Sequence, residues 1–284
     1  MLTDKDRDEV MPPRYDGGLV WHYANAQALK GILETHAIWA SGVQSLNDDQ
    51  EILFGIDLIR AAVRDASKEV QRWIGEIPDE LAAQVLADSF VVSASIDGDS
   101  AHLRESYGAY VLGFDGATEL TKQPATSNLA ATTAWQDPRF ATGWRKGIYG
   151  IPGGLVHANN VVAALEKLAR ENVAADTEEV TEAAYELIVR GAAYLKSESW
   201  RGEQEVRLFG RASLSETPVS MRVRGDEFVR FIHVTSSPDD FGPRLLPLRE
   251  VRLPRGRVRF YSASPQGVRE MLDSAGYQAV QVLA

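Results

Sequence analysis

The sequence predicts an α+β protein, a single domain in which a small mixed sheet carries helical insertions. Two patterns predict this class. Short apolar runs of strand length recur between residues 19 and 283 and end at turn residues such as Gly, Asp and Asn. Longer segments with apolar residues at helical spacing interrupt them, most clearly over about 155–195. Since no segment has the composition of a linker, we expect one domain over 19–284 after a polar lead-in over 1–18.

The composition restricts both the compartment and the partners. The 284 residues include no cysteine, which leaves no disulfide framework and no thiolate metal site. The N-terminus is charged where a signal peptide is apolar, and no apolar run approaches the roughly 20 residues that span a bilayer. We therefore expect a cytoplasmic protein without a membrane partner. The net charge of -10 argues against strong non-specific binding of nucleic acid, although arginines crowd the region 244–259.

The first elements follow from apolar runs and helix caps. Residues 19–23 and 38–40 are predicted strands, and Asn25 caps a helix between them. Asp49 is the predicted cap of a long helix that extends to Val70. Further strands are predicted at 90–96, 109–114, 220–223, 228–234, 248–253, 257–261 and 279–283, and further helices at 79–87, 157–172, 177–194 and 265–274.

Residues 121–154 have no clear periodicity and are rich in Thr, Ala, Gly and Pro. Irregular segments of this length in a compact domain are usually functional or mobile, so we expect a lid or an acceptor-facing loop. Trp135, Trp144 and Tyr149 either supply a stacking surface for a base or pin the loop to the core.

The stretch 197–210 contains two carboxylates, Glu203 and Glu205, directly before apolar residues suited to a strand. If the strand begins near Glu203, its period of two places both carboxylates on one face and Val206 and Leu208 on the other. This strand is expected to be central in the sheet. The first face then carries a charged row that is either solvated or lines a cleft, formed by Arg201, Glu203, Glu205 and Arg207.

Three more polar clusters lie on or beside predicted strands. They are His22-Tyr23, Asn47-Asp48 and Ser93-Ala94-Ser95. Each cluster can also be explained without a function. A His on a short strand is commonly an interior residue, and Asn-Asp is common in turns before a helix. Serines on a buried strand can form hydrogen bonds with the backbone.

The order of these clusters resembles the pattern of the mono-ADP-ribosyltransferases. Those enzymes carry an Arg or His on the first core strand, a Ser-x-Ser or Tyr motif on a middle strand, and a Glu-x-Glu or Gln-x-Glu at a late strand. The matching residues in this sequence are His22, Ser93-Ala94-Ser95 and Glu203-Gln204-Glu205. The resemblance implies an ADP-ribosyltransferase-like sheet and NAD as the substrate.

Residues of about 19–283 also resemble a bacterial family of uncharacterised proteins, domain of unknown function 2971. The sequence departs from that pattern at Leu103, where Trp is expected before Tyr-Gly. The matching motifs are Trp21-His22-Tyr23, Leu46-Asn47-Asp48 with Glu51, Ser93-Ala94-Ser95, Tyr107-Gly108, Leu112-Gly113-Phe114-Asp115, and Trp200, Glu203, Glu205 and Arg207. This second family provides no activity to transfer.

The transferase resemblance implies a role for each residue. Glu205 stabilises the cationic ribose, and Glu203 accepts a proton from the nucleophile. His22 binds the adenosine-side ribose, and Ser93 or Ser95 supports Glu205 or the nicotinamide ribose. An aromatic ring stacks on nicotinamide. The remaining candidates for NAD binding are Tyr23, Tyr107 and Asn47. Toxin or anti-phage roles are common for such domains.

Two other classes of function remain open. One is a non-catalytic ligand-binding or sensor domain on the same scaffold. The other is a metal-dependent nuclease built on Asp48, Asp49, Glu203 and Glu205. No Rossmann or P-loop glycine motif and no HExxH is present. Asp49 and Glu51 fit the first turn of a helix, where acids are favoured anyway, so we expect no metal site.

Overall fold

The computed structural model describes residues 2–46, 50–76, 79–122, 143–172, 178–212, 217, 219–224, 226–236, 245–255 and 264–284. Within these ranges the chain is α+β with a mixed sheet, as the sequence predicts. No helix in them is both long and apolar enough to cross a membrane. The predicted strand at 257–261 lies outside the described residues.

Helices and strands are interspersed along the described ranges. The α helices are α1 (Asp4–Glu9), α2 (Ala26–Thr35), α3 (Gln50–Ala62), α4 (Lys68–Gly75), α5 (Asp79–Ala87), α6 (Ala101–Tyr107), α7 (Gly150–Glu171), α8 (Glu178–Ala192) and α9 (Pro265–Ser274). The strands are β1 (Leu19–Ala24), β2 (Ile38–Gly42), β3 (Ser89–Ser95), β4 (Tyr110–Asp115), β5 (Leu120–Lys122), β6 (Arg145–Lys146), β7 (Ile148–Tyr149), β8 (Leu195–Lys196), β9 (Glu205–Arg211), β10 (Ser220–Arg224), β11 (Glu227–Ser236), β12 (Leu248–Arg252) and β13 (Gln281–Leu283).

The main sheet is larger than the small sheet that the sequence predicts. Among the described strands it includes eleven, with the order β10-β11-β2-β3-β1-β4-β12-β13 and with β9 on the other edge of β3. Most pairs are antiparallel, while β12 and β13 are parallel. The predicted central position of β9 is confirmed, because β3 pairs with it over its whole length and β6 pairs with Val206 and Arg207 on its other edge.

The sheet divides beside β3. On one edge of this strand β2 pairs with Phe90 and Val91, whereas β1 pairs with Ser95. Neither strand pairs with the residues between them, so β1 and β2 diverge there. This divergence leaves a backbone edge at Ser93 that a side chain can reach.

Each face of the sheet has its own apolar core. Val91 and Phe209 face a helical layer built from α3, α4, α5, α7 and α8. Val92 and Leu208, one position away, face the second core with α2 and α9. The period of two along β3 and β9 therefore assigns alternate residues to opposite layers.

The lead-in over 1–18 contains a helix that the sequence patterns do not predict. Thr3 caps α1 and accepts from the Asp6 backbone N–H at 3.2 Å. Arg7 is buried and donates through Nε to Glu186 Oε1 at 2.7 Å. Because six residues make a marginal helix alone, tertiary contacts stabilise it, namely this one with α8 and the 2.6 Å ion pair of Asp6 with Lys167 on α7.

The predicted lid over 121–154 is wrong for the part that the structure describes. Strands β6 and β7 lie within it, and α7 already begins at Gly150. Trp144 is fully buried, so it pins the chain to the core rather than offering a stacking surface. Trp135 lies outside the described residues.

Two other elements differ from the prediction. The long helix to Val70 is two helices, because Val63–Asp65 forms a 3₁₀ turn and Ser67 then caps α4. Helix α6 lies in a segment for which the sequence predicts no element, and Ser100 caps it through the Leu103 backbone N–H. Short polar helices of this kind have too few apolar residues to produce a visible period.

Candidate functional site

A cleft of about 250 Å³ opens on the helical face of the sheet, where β1 and β2 diverge. Most of the residues predicted as functional line it. They are His22, Tyr23, Ser93, Ser95, Tyr107, Glu203 and Glu205. Asn47 lies outside the described residues, although Ser45, Leu46 and Glu51 on either side of that gap also line the cleft.

His22 occupies the gap between the diverging strands. Its Nδ1 lies 3.1 Å from the Ser93 carbonyl oxygen. Because a carbonyl only accepts, Nδ1 carries the proton and donates, and Nε2 of the neutral ring is then an acceptor. Burial lowers the pKa of His22 more than this hydrogen bond raises it, and the charge of Arg222 lowers the pKa further. The ring is therefore neutral near pH 7.

Glu205 is buried at the start of β9 and has both oxygens occupied. Arg207 donates from Nε to Oε1 at 2.8 Å and from Nη2 to Oε2 at 3.0 Å. Lys196 Nζ also binds Oε2. Burial would raise the pKa of the Glu205 carboxyl, but these two cations outweigh it and lower the pKa to about 2.

Lys196 lines the cleft, and the sequence patterns do not identify it as a candidate site residue. Its Nζ binds Glu203 Oε2 at 2.6 Å and Glu51 Oε1 at 3.2 Å, in addition to Glu205. Burial and the charge of Arg207 lower the pKa of Lys196, but the three carboxylates raise it above its usual value. The signal that the sequence offers is a lysine directly after the hydrophobic residues Tyr194 and Leu195.

Glu203 and Glu205 lie close together, but not as neighbours on one face of a strand, as the sequence predicts. Glu203 ends a 3₁₀ helix, Glu198–Glu203, and Gln204 has a left-handed backbone with φ 45°. The strand therefore begins only at Glu205, and Lys196 brings the two carboxylates together. Arg201 is not in a row with them, because it is exposed and pairs with Glu198.

The hydroxyls of Ser95 and Tyr23 hold the local backbone. Ser95 Oγ donates to the Glu203 carbonyl at 2.6 Å and accepts from the Asp97 N–H at 3.0 Å. Tyr23 Oη donates to the Asp97 carbonyl at 2.6 Å. Ser95 therefore has a structural role, because it fixes the turn that carries Glu203, while its predicted contact with a ligand stays a prediction.

Tyr107 is the aromatic residue best placed for stacking. Its side chain is exposed at 41% and its Oη donates to Glu203 Oε1 at 3.1 Å. The ring of Tyr23, in contrast, is buried. Ser93 is part-buried in the cleft wall, on the same face as Arg207, with which it pairs.

The other wall of the cleft is cationic and aromatic. Trp39 and Ser41 on β2 and Arg222 and Arg224 on β10 line it. Arg222 Nη2 donates to Ser41 Oγ at 3.1 Å, and its guanidinium lies 5.8 Å from the centre of the Trp39 ring. Sequence reasoning missed this wall, for which the signal in the sequence is the alternation of Arg222 and Arg224 with Met221 and Val223 along β10.

The charges near Glu205 do not cancel. With all groups ionised, Glu51, Glu203 and Glu205 give three negative charges against two positive charges from Lys196 and Arg207. These five residues, the cleft cluster, therefore have a net charge of about −1. A positive group in the cleft is attracted to this side.

The described residues contain no group of three or more His, Cys, Asp or Glu side chains that could hold a metal ion. Asp48 and Asp49, which the nuclease hypothesis requires, lie outside the described ranges. Its other two carboxylates bind Lys196 and Arg207. Among the described residues of the cleft, no observation favours that hypothesis.

Comparison with known protein families, with curated proteins and with solved structures found no significant match for this chain. The resemblances to mono-ADP-ribosyltransferases and to domain of unknown function 2971 therefore stay predictions. Function has to be argued from the cleft itself, from the donors, acceptors and charges that its walls present.

Proposed function

We propose that the cleft binds NAD and cleaves the bond between nicotinamide and ribose, passing ADP-ribose to an acceptor or to water. The observation that supports this most is convergence. His22 from β1, Ser93 from β3 and Glu205 from β9 line one cleft although they are far apart in the chain. The order of these residues in the sequence motivates the hypothesis, but the order alone does not require that they meet.

The chemistry needs negative charge beside the sugar. When the C–N bond breaks, its electron pair leaves with nicotinamide, and the ribose becomes positively charged at C1′. A nucleophile then attacks C1′ and loses a proton. A fixed carboxylate that faces the developing charge stabilises it, as in glycosidases that pass through a similar state.

The cleft cluster supplies this charge in the proposal. Glu205 is held rigidly by Arg207, so its position costs no reorganisation during the reaction. Glu203, held by Lys196 and Tyr107, accepts the proton from the nucleophile. Neutral His22 accepts a hydrogen bond at Nε2 from a ribose hydroxyl. Tyr107 stacks on the nicotinamide ring.

A second function, a non-catalytic ligand-binding or sensor domain, is favoured by a different observation. Both oxygens of Glu205 already contact cations. A carboxylate that is neutralised in this way stabilises a cationic sugar less well than a free one. On this alternative the cleft binds its ligand, and the cleft cluster only shapes the wall.

One experiment separates the two functions. The purified protein is incubated with NAD, nicotinamide release is followed by chromatography, and NAD binding is measured by calorimetry. Release supports the proposed activity, and the division of the product between free ADP-ribose and modified protein identifies the acceptor. Binding without release, with and without added bacterial extract as acceptor, supports the sensor domain. Absence of both contradicts NAD as the ligand.

A further inference from the structure

Arg222 is a half-buried cation without a counter-charge among the described residues. It contacts a hydroxyl, Ser41 Oγ at 3.1 Å, and the face of Trp39. Within the described part of the chain, Arg222 Nε and Trp39 Nε1 are buried donors with no acceptor. The charged neighbour is Arg224, and burial together with this like charge lowers the pKa of Arg222. Burying a charge costs free energy when no counter-ion compensates it, so Arg222 is a candidate to bind an anion.

The position of Arg222 shows where that anion belongs. Arg222 lines the cleft on β10, and Glu205 lines it on β9, on the opposite side of β3 in the strand order. His22 lines the same cleft as Arg222, whose charge lowers the pKa of His22. The cations of the cleft cluster are already paired with carboxylates, whose excess charge repels an anion.

We propose that Arg222 binds a phosphate group of the ligand, and that the ribose hydroxyl next to that phosphate donates to His22 Nε2. A guanidinium matches the geometry of phosphate oxygens, and contact with Trp39 holds its plane. The inference rests on the proposed function for the identity of the ligand as NAD. The contact with Arg222 then orients the dinucleotide, so that its phosphates lie at β10 and its nicotinamide ribose lies at β9.

Calorimetry with ADP and with adenosine tests the phosphate contact directly. In Arg222→Gln the affinity for ADP should fall about 10- to 100-fold, the loss typical of one charged hydrogen bond, while adenosine binds as before. Arg222→Lys should recover part of the lost affinity, because lysine keeps the positive charge but cannot form two parallel hydrogen bonds as a guanidinium does. Arg230→Gln is the matched control. Arg230 pairs with Met221 on β10, so it faces the other side of the sheet, and its variant should bind ADP normally.

The outcomes are separable from those of the NAD assay. If Arg222→Gln binds ADP as tightly as the wild type, or if the wild type does not bind ADP at millimolar concentration, the inference is wrong. ADP binding that depends on Arg222 in a protein that leaves NAD intact supports the phosphate site and contradicts the proposed activity. If the Arg222 variants cleave NAD as fast as the wild type, the proposed activity is supported and the phosphate site is contradicted. Thermal melts check folding, and Arg222→Met, which keeps the stem over Trp39, replaces the glutamine variant if that variant does not fold.

Discussion

Strand β9 carries two buried charged clusters on the same face, separated by Phe209. The cleft cluster lies at Glu205 and Arg207. The second, which we name the core cluster, lies at Arg211. Its members are Arg7, Asp88, Glu182, Glu186, Arg190 and Arg211. Both clusters contain buried carboxylates that bind arginine, so neither burial nor pairing distinguishes them.

Access and net charge do distinguish them. In the core cluster Glu186 binds Arg7 at 2.7 Å, Arg190 at 3.1 Å and Arg211 at 3.2 Å. Three arginines meet three carboxylates there, and none of the six residues lines the cleft. The cleft cluster keeps an excess carboxylate beside a cavity. We infer that the core cluster joins α1, α8 and the sheet, whereas the cleft cluster is available to a ligand.

The largest expected effect is on stability and belongs to the core cluster. Glu186→Gln leaves three buried arginines without their shared carboxylate, so we expect the free energy of unfolding to fall by about 3–5 kcal/mol. Urea unfolding measures this change. Nicotinamide release per folded molecule should stay at the wild-type level. A loss of release equal to that of a cleft variant would show that the two clusters do not differ in function.

Glu205→Gln should act on the reaction. We expect nicotinamide release to fall by roughly 100-fold or more, about 3 kcal/mol, while NAD affinity changes far less. A solvated carboxylate could be replaced with little effect on the fold, but Glu205 is buried and pairs with Arg207, so we expect this change to lower the stability as well. Rates must therefore be compared per folded molecule, with Glu186→Gln as the matched control. Full turnover in Glu205→Gln contradicts the role of the cleft cluster.

Acid titration should reveal the same carboxylate. Since the pKa of Glu205 is lowered from 4.5 to about 2 in the folded state, the unfolded chain binds the proton first as pH falls. This contribution is complete above pH 4.5, and up to about 3 kcal/mol is lost between pH 4.5 and 2. The pKa of Glu186 is lowered too, so it acts in the same direction. Thermal melts of the wild type and of Glu205→Gln at each pH give the part of this pH dependence that comes from Glu205. If the stabilities of the two proteins change with pH in parallel, Glu205 makes no such contribution.

The smallest effect is expected for Tyr107→Phe. This change removes the hydroxyl that donates to Glu203 Oε1 at 3.1 Å but keeps the half-exposed ring. We expect nicotinamide release to fall only severalfold, about 1 kcal/mol, with the melting temperature nearly unchanged. Tyr185→Phe, in the helical core, is the control and should leave release unaffected. A loss as large as that of Glu205→Gln would make Tyr107 a principal catalytic residue instead.

The sequence predicts those parts of the fold that local patterns determine. Apolar runs locate β1, β3 and β9, and the side-chain caps Asn25 and Ser264 begin helices where expected. The predicted start of β9 is wrong by two residues, because the left-handed backbone at Gln204 follows from the anchoring of Glu203 by Ser95 and not from a turn motif.

The candidate site is only half predictable for a related reason. His22, Ser93 and Glu205 stand out as polar residues in apolar strands, whereas Lys196 and Arg222 stand at strand positions that a charged residue often occupies on an edge. Their importance depends on partners that only the folded sheet brings near, Glu51 for Lys196 and Trp39 for Arg222. Periodicity reports which face a residue takes, not which charges meet there.

The most direct test is a crystal structure with an NAD analogue in which carbon replaces the oxygen of the nicotinamide ribose ring, so that the cation cannot form. We predict the analogue in the cleft, with C1′ of that ring facing Glu205 and the phosphates against Arg222. An analogue bound elsewhere, or one that places its nicotinamide on the Arg222 side and its phosphates beside Glu205, would contradict the account.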